Sequence, residues 1–343
     1  MRYNNLGESG IKVSEICLGA MMFGGRTSEK SSGLIIASAF DNGVNFIDTS
    51  NNYVGGKSER IVGNCIRHQR PEWVLATKVG NRTGKGVNNR GLGRKHLITA
   101  IEASLSRLKT DYIDILYFHI DDQETPLHES ITLISEMITS GKLRYWGISN
   151  FRGWRIALAV GIAEAIGAPS PIVCQPYYNA MNRMPEQEVL PACEYFGLGV
   201  VPYSPLARGV LTGKYGNFLK SPSKGTRAGV GDARMLETEW RRENLEMAQI
   251  IKTHAEARGI TAITFALNWV LNNALVSSVL AGPRTLGQWK EYLQALSYTF
   301  DAEDEALIDG LVPSGHPSTP GYSDPKYPFS GRRPITRGET ALY

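Results

Sequence analysis

Eight short apolar runs, separated by stretches with helical spacing, limit this chain to few folds. They lie at residues 16–20, 44–48, 73–78, 112–119, 143–148, 171–175, 198–203 and 276–280. Between them, apolar residues recur at helical intervals. Leu97, Ile98, Ile101, Leu105 and Leu108 form one stripe, and Leu127, Ile131, Ile134 and Ile138 form another. Thr125 before Pro126 reads as an N-cap followed by an N1 proline, and Gly141 reads as the stop of that helix. Ahead of the first run, residues 1–16 alternate around Gly7-Glu8-Ser9-Gly10 and predict a hairpin. Eight strands with intervening helices predict an α/β protein, a (β/α)8 or TIM barrel closed by right-handed crossovers. No linker divides residues 1–343, so a single domain is expected.

Two segments break the rhythm. Residues 204–242 follow the seventh run and are rich in Gly, Ser, Lys and Arg. Residues 312–343 are rich in Pro, Gly, Tyr and Arg and show no periodicity. Both are expected to be loops or tails over one end of the barrel, since long irregular segments are either functional covers or disordered.

The bulk numbers exclude some functions. With 42% apolar and 20% charged residues among 343, a sizeable core can form. The net charge of +4, with both signs interspersed, is too mild to argue for nucleic acid, but leaves room for a local basic pocket facing an anionic cofactor. The four cysteines, Cys17, Cys65, Cys174 and Cys193, make no CxxC pair and no zinc-spaced cluster with histidine. A reduced, cytoplasmic protein without a metal is the expectation. The N-terminus has no apolar signal region and no run reaches membrane-spanning length, so no membrane partner is expected, while a homo-oligomer stays open.

The chemistry concentrates at strand ends. Val44 to Ile47 predict a buried strand that delivers Asp48 at its tip, and a buried carboxylate needs a partner. The next run ends in Lys78, and the one after it in His119. Tyr53 follows Asp48 by five residues, at a Val54-Gly55-Gly56 turn. The C-terminal ends of parallel barrel strands are where catalytic groups collect. A nearby ammonium favours the phenolate and should lower the pKa of Tyr53, with Asp48 holding Lys78 charged. Such a set could give a proton to a carbonyl oxygen while hydride reaches the carbon.

These residues also carry a resemblance. Asn45-Phe46-Ile47-Asp48-Thr49, Tyr53 and Gly56-Lys57-Ser58-Glu59 resemble the signature around the catalytic Asp and Tyr of aldo-keto reductases. Ala76-Thr77-Lys78-Val79-Gly80 is similar to that family's lysine strand, and Asp111 to His119 to its histidine strand. The likeness continues through Gly147 to Phe151, Gln175 to Asn179 and Tyr203 to Tyr215, in order over roughly residues 1–300. The run Ser204-Pro205-Leu206-Ala207-Arg208-Gly209-Val210-Leu211-Thr212-Gly213-Lys214-Tyr215 resembles the bacterial branch akin to potassium-channel β subunits.

The resemblance implies a small carbonyl substrate and NADPH as cofactor. It makes Tyr53 the general acid, Lys78 and Asp48 its tuning pair, and His119 an orienting donor. It implies that Ser149, Asn150 and Gln175 hold the nicotinamide amide, with Tyr203 stacked on the ring. Along the pyrophosphate, Ser204, Leu206 and Arg208 would offer backbone N–H groups and Lys214 a charge. At the adenosine end, after the eighth run, Gly282, Arg284, Gln288 and Glu291 would line the site, with Arg284 facing a 2′-phosphate. Tyr292 departs from the family's asparagine. No GxGxxG follows a strand, which argues against a Rossmann domain. By position, Met22, Phe23 and Trp146 are the candidates for substrate contact, although Trp146 could equally be core, and Asn81 to Gly93 could form a rim.

Two rival readings remain at this stage. One is a cofactor-sensing partner subunit with slow turnover, which the channel-subunit likeness allows. The other is a barrel lyase or isomerase using Lys78 as a Schiff-base amine.

Overall fold

The structure, a computed structural model, describes residues 1–216 and 222–329. Residues 217–221 of the expected covering loop and 330–343 of the expected tail lie outside the described residues. A hairpin of β1 (Tyr3–Asn5) and β2 (Lys12–Ser14) comes first, and is antiparallel as expected. Eight strands follow: β3 (Ile16–Gly19), β4 (Phe46–Asp48), β5 (Val74–Val79), β6 (Ile113–Phe118), β7 (Leu143–Ser149), β8 (Val173–Gln175), β9 (Gly199–Val200) and β10 (Val279–Ala281). Every neighbouring pair among these eight is parallel, in the order β10-β3-β4-β5-β6-β7-β8-β9. Parallel bridges from Val200 to Val276 and from Tyr203 to Leu280 join the two ends of that order and close the barrel.

Helices α1 (Glu29–Asp41), α2 (Lys57–Ile66), α3 (Arg94–Leu108), α4 (Leu127–Thr139), α5 (Gly153–Ala165) and α6 (Val189–Tyr195) each follow one strand, from β3 to β8. Three helices, α7 (Ala233–Thr238), α8 (Arg242–Ala257) and α9 (Ala262–Leu271), separate β9 from β10. The last two are α10 (Leu286–Ala295) and α11 (Ala302–Leu311). All eight predicted strands are present, within three residues of their expected ends.

Strand alternation sorts side chains into two layers. Outward residues such as Ile47, Leu75, Leu116 and Ile148 pack under the helices. Inward residues such as Cys17, Phe46, Ala76, Ile115 and Val173 meet in the barrel with Leu6 and Val13 of the hairpin. The hairpin therefore stoppers the N-terminal end of the barrel with apolar groups. Polar inward residues collect at the other end.

Details of the sequence reading need adjustment. In α3, Leu97, Ile101, Leu105 and Leu108 are buried, but Ile98 is on the exposed side. Thr125 does not cap α4; its hydroxyl donates to Asp122 Oδ2 at 2.6 Å, and the cap position falls to Pro126. Gly141 does end that helix, with φ +75.

Helix spacing is set by glycine where α2 meets α3. A Cβ on Gly63 would sit 2.3 Å from the carbonyl oxygen of Leu108, whereas one on Gly161 in α5 meets nothing within 4 Å. Gly63→Ala should cost about 1–3 kcal/mol through forced separation of the helices. Gly161→Ala should gain about 0.5–1 kcal/mol through helix propensity. Urea unfolding of the two variants checks this; equal shifts in both would contradict it.

Candidate active site

The alternation that builds the core also builds the site. In β4, Phe46 points in, Ile47 out and Asp48 in; in β5, Ala76 points in, Thr77 out and Lys78 in. Asp48 pairs in register with Ala76, which sets Lys78 just beyond it on the next strand. Lys78 Nζ, fully buried, forms an ion pair with Asp48 Oδ1. It also donates to the Thr49 carbonyl at 2.8 Å and to the Tyr53 hydroxyl oxygen at 3.1 Å. Gln175 Nε2 donates to the other Asp48 oxygen at 3.1 Å. The ammonium thus has three acceptors, and the carboxylate has a donor on each oxygen.

The outward Thr77 has its own role. It donates to Glu59 of α2 at 2.6 Å, and Arg107 of α3 donates to the second Glu59 oxygen at 2.6 Å. Ser58 donates to the Ala20 carbonyl at 2.8 Å and lies 2.7 Å from the Thr49 hydroxyl. Ser58 and Glu59 therefore lock the start of α2 to strands β3 to β5. Between that lock and Asp48 the chain turns through left-handed residues Val54, Gly55 and Gly56, and this turn aims Tyr53 at Lys78.

Burial raises the Tyr53 pKa, and Lys78 offsets only part of the rise. The expected net lowering is not seen: in a site this short of water, desolvation of the phenolate outweighs one ammonium. Tyr53 consequently keeps its proton at neutral pH. For Lys78, burial acts downward, but Asp48 and Tyr53 together raise its pKa, so it stays charged. His119 packs edge-on to Tyr53 with centroids 5.8 Å apart. Burial first, then Lys78 and Lys326, hold its pKa well below the ordinary range, so the ring is neutral. Its Nδ1 lies 3.2 Å from Ser50 Oγ.

One cleft of about 570 Å3 takes in every expected catalytic and cofactor-binding residue except Lys78, which lies beneath its floor. At the catalytic end, Ser149 donates to the Gln175 carbonyl at 2.8 Å, Asn150 Nδ2 donates to the His119 carbonyl at 2.9 Å, and Tyr203 donates to Asn150 Oδ1 at 2.8 Å. Tyr203 stacks on Tyr177 with centroids 5.5 Å apart. Further along, Ser204, Ala207, Arg208 and Gly209 all have positive φ. Three of these are not glycine, and such a run concentrates strain where N–H groups are turned one way. Among the described residues, the N–H groups of Ser204, Leu206 and Arg208 have no protein acceptor. Gly282 and Arg284 lead into α10, whose N-cap Thr285 accepts from Gln288, and Gln288 Oε1 accepts the Arg284 N–H at 2.9 Å.

A family model described as the aldo/keto reductase family matches residues 15–313. The chain belongs to the aldo/keto reductase family. It is 37% identical over 301 residues to a protein of Arabidopsis thaliana named probable voltage-gated potassium channel subunit beta, covering 86% of this chain and 91% of that one. It is 35% identical to a protein of the same name from Oryza sativa subsp. japonica, covering 94% of this chain and all of that one. It is 36% identical to the uncharacterized oxidoreductase YrpG of Bacillus subtilis (strain 168), covering 93% and 98%.

In this aldo/keto reductase, several groups around the cleft escaped the sequence reading. Arg227 and Arg234 come from the stretch after β9, and Lys326 and Tyr327 from the tail. The tail is pinned by Asp324, which takes two bonds from Arg234 at 2.6 and 3.0 Å, and by Arg152, which donates to the Tyr327 carbonyl at 2.8 Å. Phe23 is a core residue, against expectation, and Trp146 takes the core alternative; it donates to the Pro169 carbonyl and packs on Phe118. Met21, one residue before Met22, lines the cleft instead. Among the described residues, no three His, Cys, Asp or Glu are grouped to hold a metal, and no helix is long and apolar enough to cross a membrane.

Lys78→Met would strand Asp48 without its counter-charge, which should cost about 3–5 kcal/mol. Adding Asp48→Asn should recover at least half of that loss. Guanidinium unfolding measures both; a double variant no more stable than the single would contradict the pairing argument.

Proposed function

We propose that this aldo/keto reductase uses NADPH to reduce an aldehyde or ketone to its alcohol. The observation that carries the reading is the direction of one hydrogen bond. Lys78 donates to the Tyr53 oxygen, so the Tyr53 proton is left to point elsewhere, in a cleft shared with His119. A substrate oxygen placed there takes that proton as the carbonyl carbon takes hydride, and the ammonium of Lys78 steadies the phenolate left behind. The Ser50 hydroxyl donates to Asn52 Oδ1 at 2.7 Å; turned instead to His119 Nδ1, 3.2 Å away, it would leave the His119 proton on Nε2, where it can hold the same oxygen. Bound NADPH supplies the hydride.

The residues present fit such a cofactor. The unpaired N–H groups of Ser204, Leu206 and Arg208 suit a pyrophosphate. Burial, then the nearby Arg284 and Arg227, lowers the pKa of Lys214, as expected of a cation placed among cations. Arg284 suits a 2′-phosphate, with Gln288 and Glu291 beside the adenosine. Ser149, Asn150 and Gln175 offer amide partners for the nicotinamide, and Tyr203 a flat wall. The four free cysteines fit a reducing compartment such as the cytoplasm.

The charged, fully buried Lys78 is a poor Schiff-base amine, which disfavours the lyase reading. The names of two relatives favour a second reading, a partner subunit that binds NADPH and turns over slowly. Rapid turnover of any small carbonyl would count against it.

Tyr53→Phe should lower kcat/KM for carbonyl reduction by about a hundredfold or more and leave the Kd for NADPH within about twofold. Steady-state rates and fluorescence titration of NADPH measure the two effects, and an active variant would overturn the assigned acid. Arg284→Ala should weaken NADPH about tenfold or more while barely changing NADH, since a charge-assisted bond to phosphate is lost. Equal losses for the two cofactors would remove the 2′-phosphate assignment.

A further inference from the structure

Beside the active-site cleft lies a second one of about 780 Å3, and the two share Asn81, Asn150, Lys326 and Tyr327 as a common border. Its walls are the segment from Gly80 to His96, the loop from Ile120 to Glu129, and the tail. Its acids are all engaged. Glu124 pairs with Arg90 at 3.0 Å, and Asp121 with Arg155 at 2.8 Å. Asp122 accepts from the Leu92 N–H and the Thr125 hydroxyl, and Glu129 accepts the Arg94 N–H. Its cations are not balanced in the same way. Among the described residues, Arg82 donates only to the carbonyls of Gly84 and Gly86, and Arg152 only to those of Tyr327 and Pro328. Lys95 and Lys326 have no carboxylate within ion-pair distance among the described residues.

The start of α3 adds to this field. Its first turn lines the cleft, and among the described residues the N–H groups of Lys95 and His96 have no acceptor. A helix start with free N–H groups favours an anion. His96 gives an independent sign of an absent ligand. It is only 6% exposed and lines the cleft, yet among the described residues its Nε2 has no hydrogen-bond partner. A polar atom that deep is normally satisfied. Burial lowers its pKa, so the ring is neutral and can take a hydroxyl.

We propose that this second cleft is a subsite for the far end of the carbonyl substrate, and that this end carries an anion, a carboxylate or a phosphate, next to a hydroxyl. The inference rests on the reductase reading and extends it to the substrate's class. Arg82, Lys95, Lys326 and the first turn of α3 hold the anion, His96 receives the hydroxyl, and the carbonyl reaches Tyr53 past Asn81 and Lys326. The tail, which contributes Lys326, thereby selects for charge.

The test compares matched pairs on the full chain: glyceraldehyde with glyceraldehyde phosphate, and butanal with succinic semialdehyde. The charged member of each pair should show kcat/KM at least about tenfold higher, mainly through KM. The double variant Arg82→Ala/Lys326→Ala should bring the ratio close to one, and added salt should shrink it in the wild type. A ratio near one in the wild type, or one that survives the double variant, would overturn the subsite. Calorimetry with glycerol phosphate, which cannot be reduced, gives a readout that needs no turnover. Binding about tenfold weaker in the double variant supports the subsite, and equal binding overturns it. If no aldehyde of either kind consumed NADPH, the reductase reading would fall, and the calorimetry would still decide the subsite.

Discussion

The ion pair between Asp48 and Lys78 is the constraint on which the site depends. Two opposite charges, both buried, survive there because every polar atom has a partner. Lys78 has Asp48, the Thr49 carbonyl and Tyr53, while Asp48 has Lys78 and Gln175. Those partners come from different elements: β4 and the turn after it, β5, and β8. The pair therefore ties the mouth of the barrel together, and it sets the direction of the Tyr53 hydroxyl. Left unpaired, either charge would cost several kcal/mol in such surroundings. The strands must hold their register for the pair to exist at all.

Around this satisfied centre the mouth is built in the opposite sense. Among the described residues, Lys214, Arg227 and Lys326 line the cleft without carboxylate partners, and the left-handed stretch from Ser204 to Arg208 leaves the N–H groups of Ser204, Leu206 and Arg208 unpaired. Both features cost stability in the free protein. Both make sense where anions bind. The apolar hairpin stopper at the other end has no such features. One end of the barrel is thus closed and apolar and the other open and basic, which matches the division between stability and binding in this fold.

Much of this was legible in the sequence because strand alternation and the order of strands are written locally. An apolar run ending in Asp48, the next ending in Lys78 and a third ending in His119 already imply convergence at one barrel end. The energetic balance was not legible. That the Tyr53 pKa rises depends on how much water reaches it, which no local pattern encodes. Phe23 looked like a mouth residue from its place in the chain, and position left Trp146 open between mouth and core; Trp146 faces outward from β7 against Phe118, and Phe23 is buried in the turn after β3. The tail was opaque for another reason. It has no periodicity, and its position over the mouth comes from single long-range contacts, Asp324 with Arg234 and Tyr327 with Arg152. Such contacts leave no trace in local spacing. The same holds for Arg227, one basic residue among several in its segment.

The most direct test of the account is the rate of NADPH consumption by the wild-type chain with a panel of aldehydes, simple ketones and bulky cyclic ketones, followed by absorbance. The account predicts rapid, multiple turnover with at least one class and formation of the matching alcohol. Tight binding of NADPH with no turnover of any carbonyl would contradict it and would leave a cofactor-sensing subunit as the better description.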